Sequence, residues 1–294
     1  MTKTAFIAIV GRPNVGKSTL LNSILGEKVA IVSKKPQTTR NRITGIYTDG
    51  ENQYVFLDTP GIHNPRTKLG DFMMKTASDT IGGATAAILV VEAREEVGDI
   101  EAKIISRMKS DGLPCILVIN KIDAVRPANI AKTIAAYAEV FDFDAVIPMA
   151  AKSGRGVDTL LSECERYLYD SEWFFPDDIV TDQPERQLAA EIIREKLLRS
   201  LDEEIPHGTA VTIEEWKETD RLVSIRAEIY CEKASHKGII IGKGGAGIKR
   251  IGSRAREDIE RLLDTRVFLD LYVRVKENWR DSDFNIGSFG FKEE

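Results

Sequence analysis

Gly11-Arg12-Pro13-Asn14-Val15-Gly16-Lys17-Ser18 follows the apolar run Ala5–Val10 and opens a stretch, Gly16–Leu25, whose Leu20, Leu21 and Ile24 share one side. A strand, a loop bounded by glycines and a helix, in that order, make a phosphate cradle. Backbone N–H groups close around the anion and the helix N-terminus adds positive potential. Lys17 is expected to bridge the β- and γ-phosphates and the Ser18 hydroxyl to bind Mg²⁺, with Gly11, Asn14, Val15, Gly16 and Thr19 completing the loop. A chance glycine-rich turn before a helix is the plain alternative, and the rest of the chain weighs against it.

Downstream, short apolar runs alternate with amphipathic stretches, the pattern of βαβ units on a parallel sheet. The expected strands are Ala5–Val10, Tyr54–Leu57, Ala86–Val91, Cys115–Ile119 and Ala145–Pro148. Between them lie the helical stretches Ile100–Lys109, Ile130–Val140 and Val157–Tyr167. Lys28–Asp49 lacks a helical period and reads as a long loop leading into an antiparallel edge strand near Arg42–Tyr47.

Three strand ends carry further chemistry. Asp58-Thr59-Pro60-Gly61 places Asp58 to orient Mg²⁺ through water and the Gly61 N–H towards a γ-phosphate. In Asn120-Lys121-Ile122-Asp123, Asp123 is set to accept from guanine N1–H and N2–H₂, a donor pair that adenine lacks, while Lys121 lies over the base. Ala150-Ala151-Lys152 offers backbone N–H to guanine O6. Together these resemble the motifs of Ras-like P-loop GTPases, and the cofactors implied are GTP or GDP with Mg²⁺.

Two departures matter. Ala150 stands where a serine is usual, which removes a supporting hydroxyl. Ile62 follows Gly61 where Ras-like enzymes carry a glutamine that positions water, so slow intrinsic hydrolysis is expected. Asn14 suggests K⁺ as a compensating charge, since an Asn here helps bind K⁺ in related GTPases. Thr38 and Thr39 are both candidates for the switch threonine on Mg²⁺, with Thr39 favoured by resemblance to relatives carrying Thr before Arg.

At 294 residues the chain is expected to form two domains, over 1–170 and 185–294, joined by a linker at 171–184 that holds Trp173, Phe174 and Phe175. The second begins with an amphipathic helix, Glu185–Leu201, bearing Leu188, Ile192, Ile193 and Leu197 on its core side, with Thr181 or Asp182 as its cap. Strands Thr209–Trp216 and Leu222–Cys231 follow, then a short helix near Ser235–Ile241, a longer one over Ala246–Leu263 and a strand, Arg266–Val275. Gly242-Lys243-Gly244-Gly245 joins the two helices. A GXXG loop in an α-β-β-α-α-β order agrees with a type II KH domain, which clamps single-stranded RNA backbone. Lys237, Lys249, Arg250 and Arg254 are its candidate basic neighbours. A plain helix-joining turn is the bland reading of the loop.

Composition excludes several classes. The net charge of −5 is not that of a generally basic nucleic-acid coat, and no DNA binding is expected. Three scattered cysteines and three scattered histidines suggest reduced thiols in the cytoplasm and no zinc site. No segment has the length and apolarity of a membrane span.

The conjunction of the two halves resembles the Era family of bacterial GTPases. The likeness rests on Gly11–Ser18, Pro36-Gln37-Thr38-Thr39-Arg40, Asp58–Gly61, Asn120–Asp123, Pro184–Leu198 and Gly238–Gly252. It implies a monomer that binds the 3′ end of 16S rRNA, a role in building the 30S ribosomal subunit, and peripheral membrane contact in some members. The competing expectation is a GTPase of another ribosome-assembly or tRNA-modification type whose C-terminal domain binds protein.

Overall fold

Strands and helices alternate from the first residues. In the computed structural model, which describes residues 1–63 and 65–291, the chain runs β1 (Lys3–Val10), α1 (Lys17–Leu25), β2 (Ile43–Asp49), β3 (Asn52–Asp58), α2 (Lys68–Gly82), β4 (Ala86–Glu92), α3 (Asp99–Asp111) and β5 (Cys115–Asn120). It continues through α4 (Pro127–Ala138), β6 (Ala145–Pro148), α5 (Val157–Cys164), β7 (Tyr169–Asp170) and α6 (Glu185–Ser200). After these come β8 (Ala210–Thr219), β9 (Leu222–Cys231), α7 (Ala234–Ile241), α8 (Ala246–Leu263), β10 (Val267–Val275) and α9 (Asp283–Ser288).

The chain separates into two units, one of residues 1–65 and 72–182, the other of residues 66–71 with the chain from Gln183 onward. In the first, the strand order is β2-β3-β1-β4-β5-β6, with β7 also on β1. The pairs β3–β1, β1–β4, β4–β5 and β5–β6 are parallel, and β2 is the expected antiparallel edge. Both faces of this sheet are buried, which is why its central strands are apolar without alternation. Ile7, Ile9, Ile88, Val90, Ile116 and Val118 pack with α1 and α5 residues, whereas Ala8, Val10, Leu89, Val91, Leu117 and Ile119 pack with those of α3 and α4.

The stretch expected as a linker is bonded to this first unit as far as Thr181. Buried Gln53 donates to the Phe175 carbonyl at 2.8 Å and accepts from the Phe174 and Phe175 N–H groups at 3.0 and 3.1 Å. The Ile46 N–H donates to the Val180 carbonyl, and the Thr181 hydroxyl donates to the Thr44 carbonyl. Thr181 is therefore not the cap of α6, and neither is Asp182: Pro184 stands at that position and no side chain caps the helix.

In the second unit the order is β10-β9-β8, with β9–β10 parallel and β8–β9 antiparallel. The expected stripe of α6 is buried, but so are Arg194, Glu195 and Lys196. Lys196 answers Glu195 at 2.8 Å and also pairs with Asp258 of α8, so the charges are buried as a network. On α8, Ile251, Ala255 and Ile259 are buried, with Ile248 and Leu262 packed beside them. All three cysteines are free and buried. Among the described residues no helix is long and apolar enough to cross a membrane.

Candidate nucleotide and nucleic-acid sites

The glycine loop leaves the end of β1 and feeds α1, whose first residue is Lys17. Lys17 is buried, and its Nζ donates to the Gly11 and Arg12 carbonyls at 3.2 and 3.1 Å. Burial pulls its pKa down to about 8, against the opposing charge of Asp58. Asp58, at the end of β3, is fully buried, and burial pushes its pKa up to about 6 despite Lys17 and a hydrogen bond from Ser18. The Ser18 hydroxyl donates to Asp58 Oδ2 at 2.6 Å and lies 2.9 Å from Thr39 Oγ1.

The Ser18 hydroxyl thus brings the Thr39 hydroxyl and the Asp58 carboxylate together, and Asp58 Oδ1 has no hydrogen-bond partner among the described residues. Hard oxygen donors in this number suit Mg²⁺, which keeps several waters and takes one or two carboxylates with phosphate. The geometry also separates the two threonines: the Thr38 hydroxyl is turned to the Lys35 carbonyl at 2.7 Å, away from Ser18.

Gly61 lies against the loop. A Cβ built on it would be 2.7 Å from both Cα and N of Pro13, so only glycine fits. Its flanks are pinned: the Thr59 hydroxyl donates to the Ile9 carbonyl and the Ile62 N–H to the Gly11 carbonyl. The Ile62 side chain packs onto the core shared with α3 and α4. His63 is a participant that the sequence reading missed. Its Nδ1 lies 3.0 Å from the Gly61 carbonyl, and its Nε2 lies 3.3 Å from Gln37 Nε2, tying the segment after β3 to the one before β2.

At the base end, Asn120 is a strut. Its Nδ2 donates to the Val15 carbonyl at 2.9 Å, and its Oδ1 accepts the Ala151 N–H at 3.0 Å. The Lys121 Nζ donates to the Asn14 carbonyl at 2.6 Å and pairs with Glu92. Asp123 and Lys152 are exposed at the rim. Where Ala150 lacks a hydroxyl, the loop is held differently: Ser153 Oγ donates to the Ala150 carbonyl at 3.1 Å and the Ala150 N–H to the Arg155 carbonyl at 3.0 Å. The Asn14 side chain donates to the Lys34 carbonyl at 2.8 Å, and Thr19 is half-buried in the first turn of α1.

In the second unit, Gly242, Gly244 and Gly245 all have positive φ, and Gly242 (φ 72°, ψ 172°) turns the chain sharply out of α7. A Cβ on Gly242 would come within 2.8 Å of the Gly247 nitrogen. Lys243 and Gly244 are exposed at the tip. Beside the loop, α8 and β10 form a cleft of about 280 Å³ lined by Ile248, Lys249, Gly252, Ser253, Arg256, Leu269 and Leu271. Lys249 therefore stands on it, together with Arg256, which the sequence reading had not named. Arg250 does not: it lines a separate cleft with residues 200–203, Ile205 and Ile239. Lys237 is half-buried on α7 and lines neither.

Comparison with known proteins identifies a family for each half of the chain. Residues 6–121 match the family described as 50S ribosome-binding GTPase and residues 204–280 the KH domain family. GTPase Era of Ruminiclostridium cellulolyticum is 49% identical, with 99% of this chain and 98% of that protein covered. GTPase Era of Clostridioides difficile is also 49% identical, over 100% of both. The chain belongs to the Era family of GTPases. It is a GTP-hydrolysing enzyme with a P-loop domain and a C-terminal KH domain, as the sequence led us to expect. Two solved Era structures superpose over the full length. One is a variant from Aquifex aeolicus bound to GDP·AlF4⁻, with a TM-score of 0.95, 38% identity and 99% of this chain against 100% of that one. The other is Era in complex with MgGDPNP and nucleotides 1506–1542 of 16S ribosomal RNA, with a TM-score of 0.94, 38% identity and complete coverage of both chains.

Proposed function

We propose that this chain is a GTP-driven switch that binds the single-stranded 3′ end of 16S rRNA through its KH domain during assembly of the small ribosomal subunit. The observation that carries the reading is the gathering of Ser18, Thr39 and Asp58 near the buried Lys17 on the same chain as a left-handed glycine loop beside a cleft bearing Lys249 and Arg256. The full-length likeness to Era bound to an rRNA fragment supports the same RNA. The protein acts as a cytoplasmic monomer on the 30S particle.

Hydrolysis follows from the residues at the strand ends. The loop N–H groups, with Lys17, hold the β- and γ-phosphates. Ser18, Thr39 and Asp58 are the residues that hold Mg²⁺, which supplies charge neutralisation when bound. Water adds to the γ-phosphorus, the bond to the β–γ bridging oxygen breaks, and the proton leaves with phosphate. On this reading the Gly61 N–H serves the γ-phosphate and the Thr39 carbonyl serves the attacking water. With Ile62 packed on the core, no side chain at its position orients the water, so turnover is slow unless a cation near Asn14 compensates. Asp123 selects guanine, with the Ala151 loop completing the base pocket.

The test is RNA affinity for a short single strand from the 16S 3′ end, compared between GDP and a non-hydrolysable GTP analogue. Tighter binding with the analogue is expected, and reciprocity then requires RNA to strengthen GTP binding. Lys243→Asp with Gly244→Asp removes RNA binding and leaves GTP hydrolysis intact; retained RNA affinity in that variant rejects the KH assignment. Faster turnover in K⁺ than in Na⁺ is expected, and equal rates at saturating Mg²⁺ reject the role of Asn14.

A further inference from the structure

Behind the phosphate loop lies a charged contact that the hydrolysis chemistry does not use. Arg12 pairs through Nε with Glu101 Oε1 on the first turn of α3, and the two side chains are 17% and 3% exposed. The other Glu101 oxygen is buried without a hydrogen-bond partner among the described residues, and lies 2.6 Å from where a Cβ on Gly98 would sit. Glu101 is buried on α3 together with Ile104, Ile105 and Met108, so its carboxylate sits in a low-polarity layer.

A carboxylate in such a layer is expensive, and an apolar side chain of similar size would serve packing better. What the carboxylate does here is hold Arg12. The backbone of the Gly11–Pro13 arm sets both halves of the phosphate end: the Gly11 and Arg12 carbonyls receive Lys17, the Gly11 carbonyl receives the Ile62 N–H, and Pro13 abuts Gly61. We infer that Glu101 is a positioning residue for nucleotide binding, acting through Arg12 to hold the Gly11–Pro13 arm in the register that the phosphates require.

Loosening that arm without adding bulk against Gly61 weakens chiefly the Lys17 hold on phosphate, which is made in both substrate and transition state, and so raises KM with little change in kcat. Glu101→Gln and Arg12→Gln in the full-length protein are each expected to weaken GDP and GTP-analogue binding about 10-fold, which is about 1.4 kcal/mol. KM for GTP rises in proportion and kcat stays within about twofold. Arg12→Lys, which keeps the charge, recovers most of the affinity. The double variant Arg12→Gln/Glu101→Gln is no weaker than the worse single variant, because the two residues act as one unit. Arg12 is partly exposed, so its variants keep the test open if Glu101→Gln does not fold. Affinities unchanged in the single variants, losses that multiply in the double variant, or a lower melting temperature with unchanged affinity would each overturn the inference.

Discussion

Gly61→Ala is the substitution whose consequence the geometry defines most sharply. The added methyl would stand 2.7 Å from the Pro13 Cα and N, whereas ordinary contact begins near 3.4 Å. One wall must therefore retreat by about 0.7 Å, and neither wall is free to do so. Thr59 is tied to Ile9, Ile62 is tied to Gly11, and Pro13 is backbone in the loop that holds Lys17. The easiest movement carries the Gly61 N–H away from the γ-phosphate. A displacement near 1 Å, or the loss of one donor at the reacting group, costs about 10²-fold in rate. Single-turnover GTP hydrolysis is therefore expected to fall about 10²-fold. GDP affinity stays within about threefold, because Asn120, Asp123 and Ser18 are untouched and GDP lacks the γ-phosphate. A rate within threefold of the parent, or a GDP affinity lost in parallel with the rate, would refute the reasoning.

Three further expectations concern stability. In protein stripped of nucleotide and metal, Asp58 rises from its ordinary 3.8 to about 6, so the folded first unit holds a proton that the unfolded chain has lost. Stability there falls by about 3 kcal/mol as pH climbs through that range. Lys17, lowered from 10.5 to about 8, gives the opposite slope between those values, with a similar amplitude of about 3 kcal/mol. Hydrogen exchange of β1 and β3 amides, corrected for intrinsic rates, reads both limbs; an acid limb that survives in Asp58→Asn would refute the assignment. Gln53→Ala leaves two N–H groups and a carbonyl of the 174–175 segment without their partner and is expected to destabilise the first unit by about 2–4 kcal/mol. Faster proteolysis between 171 and 182 checks it. Lys196→Met removes the buried ammonium that joins Glu195 to Asp258, leaving Glu195 with Arg199 and Asp258 with Arg261, and should cost about 1–3 kcal/mol in the second unit, read as lost protection in α8 and β9 while GDP affinity holds.

The sheet and the phosphate end were legible because their signals are local. A strand followed by glycines, Lys17 and Ser18 carries its signal in adjacent residues, and each later motif sits at a strand end that its apolar run announces. What escaped depends on partners distant in sequence. The helix Lys68–Gly82 is not among the expected elements, and its burial of Leu69, Met73 and Ala77 is decided by tertiary packing. Arg194, Glu195 and Lys196 read as the polar side of α6, since hydrophobic period does not reveal that Asp258 waits on another helix. His63 and Gln37 meet across a gap of 26 residues that no spacing rule covers. One miss was avoidable. Positions 249, 252, 253 and 256 lie on one helical face while 247, 250 and 251 lie on another, so period alone separates Lys249 and Arg256 from Arg250.

Lys17 and Asp58 show how such a site gains affinity for its ligand from its own electrostatics. Each is buried, and burial moves each towards its neutral form, so the empty site holds charge that its surroundings resist. Their mutual attraction offsets only part of that cost, since both shifts keep the sign set by burial. An incoming polyphosphate supplies the anion that Lys17 lacks, and a divalent cation supplies the counter-charge for Asp58. Binding therefore releases an unfavourable electrostatic term as well as forming contacts, and the same linkage makes the ligand stabilise the fold by mass action. Proton uptake by Lys17 on binding follows: above about pH 8, where the empty site has lost that proton, affinity for nucleotide must fall as pH rises. Calorimetry of GDP binding in buffers of different ionisation enthalpy at pH 8.5 should record net proton uptake, and a buffer-independent enthalpy would refute this origin of the affinity.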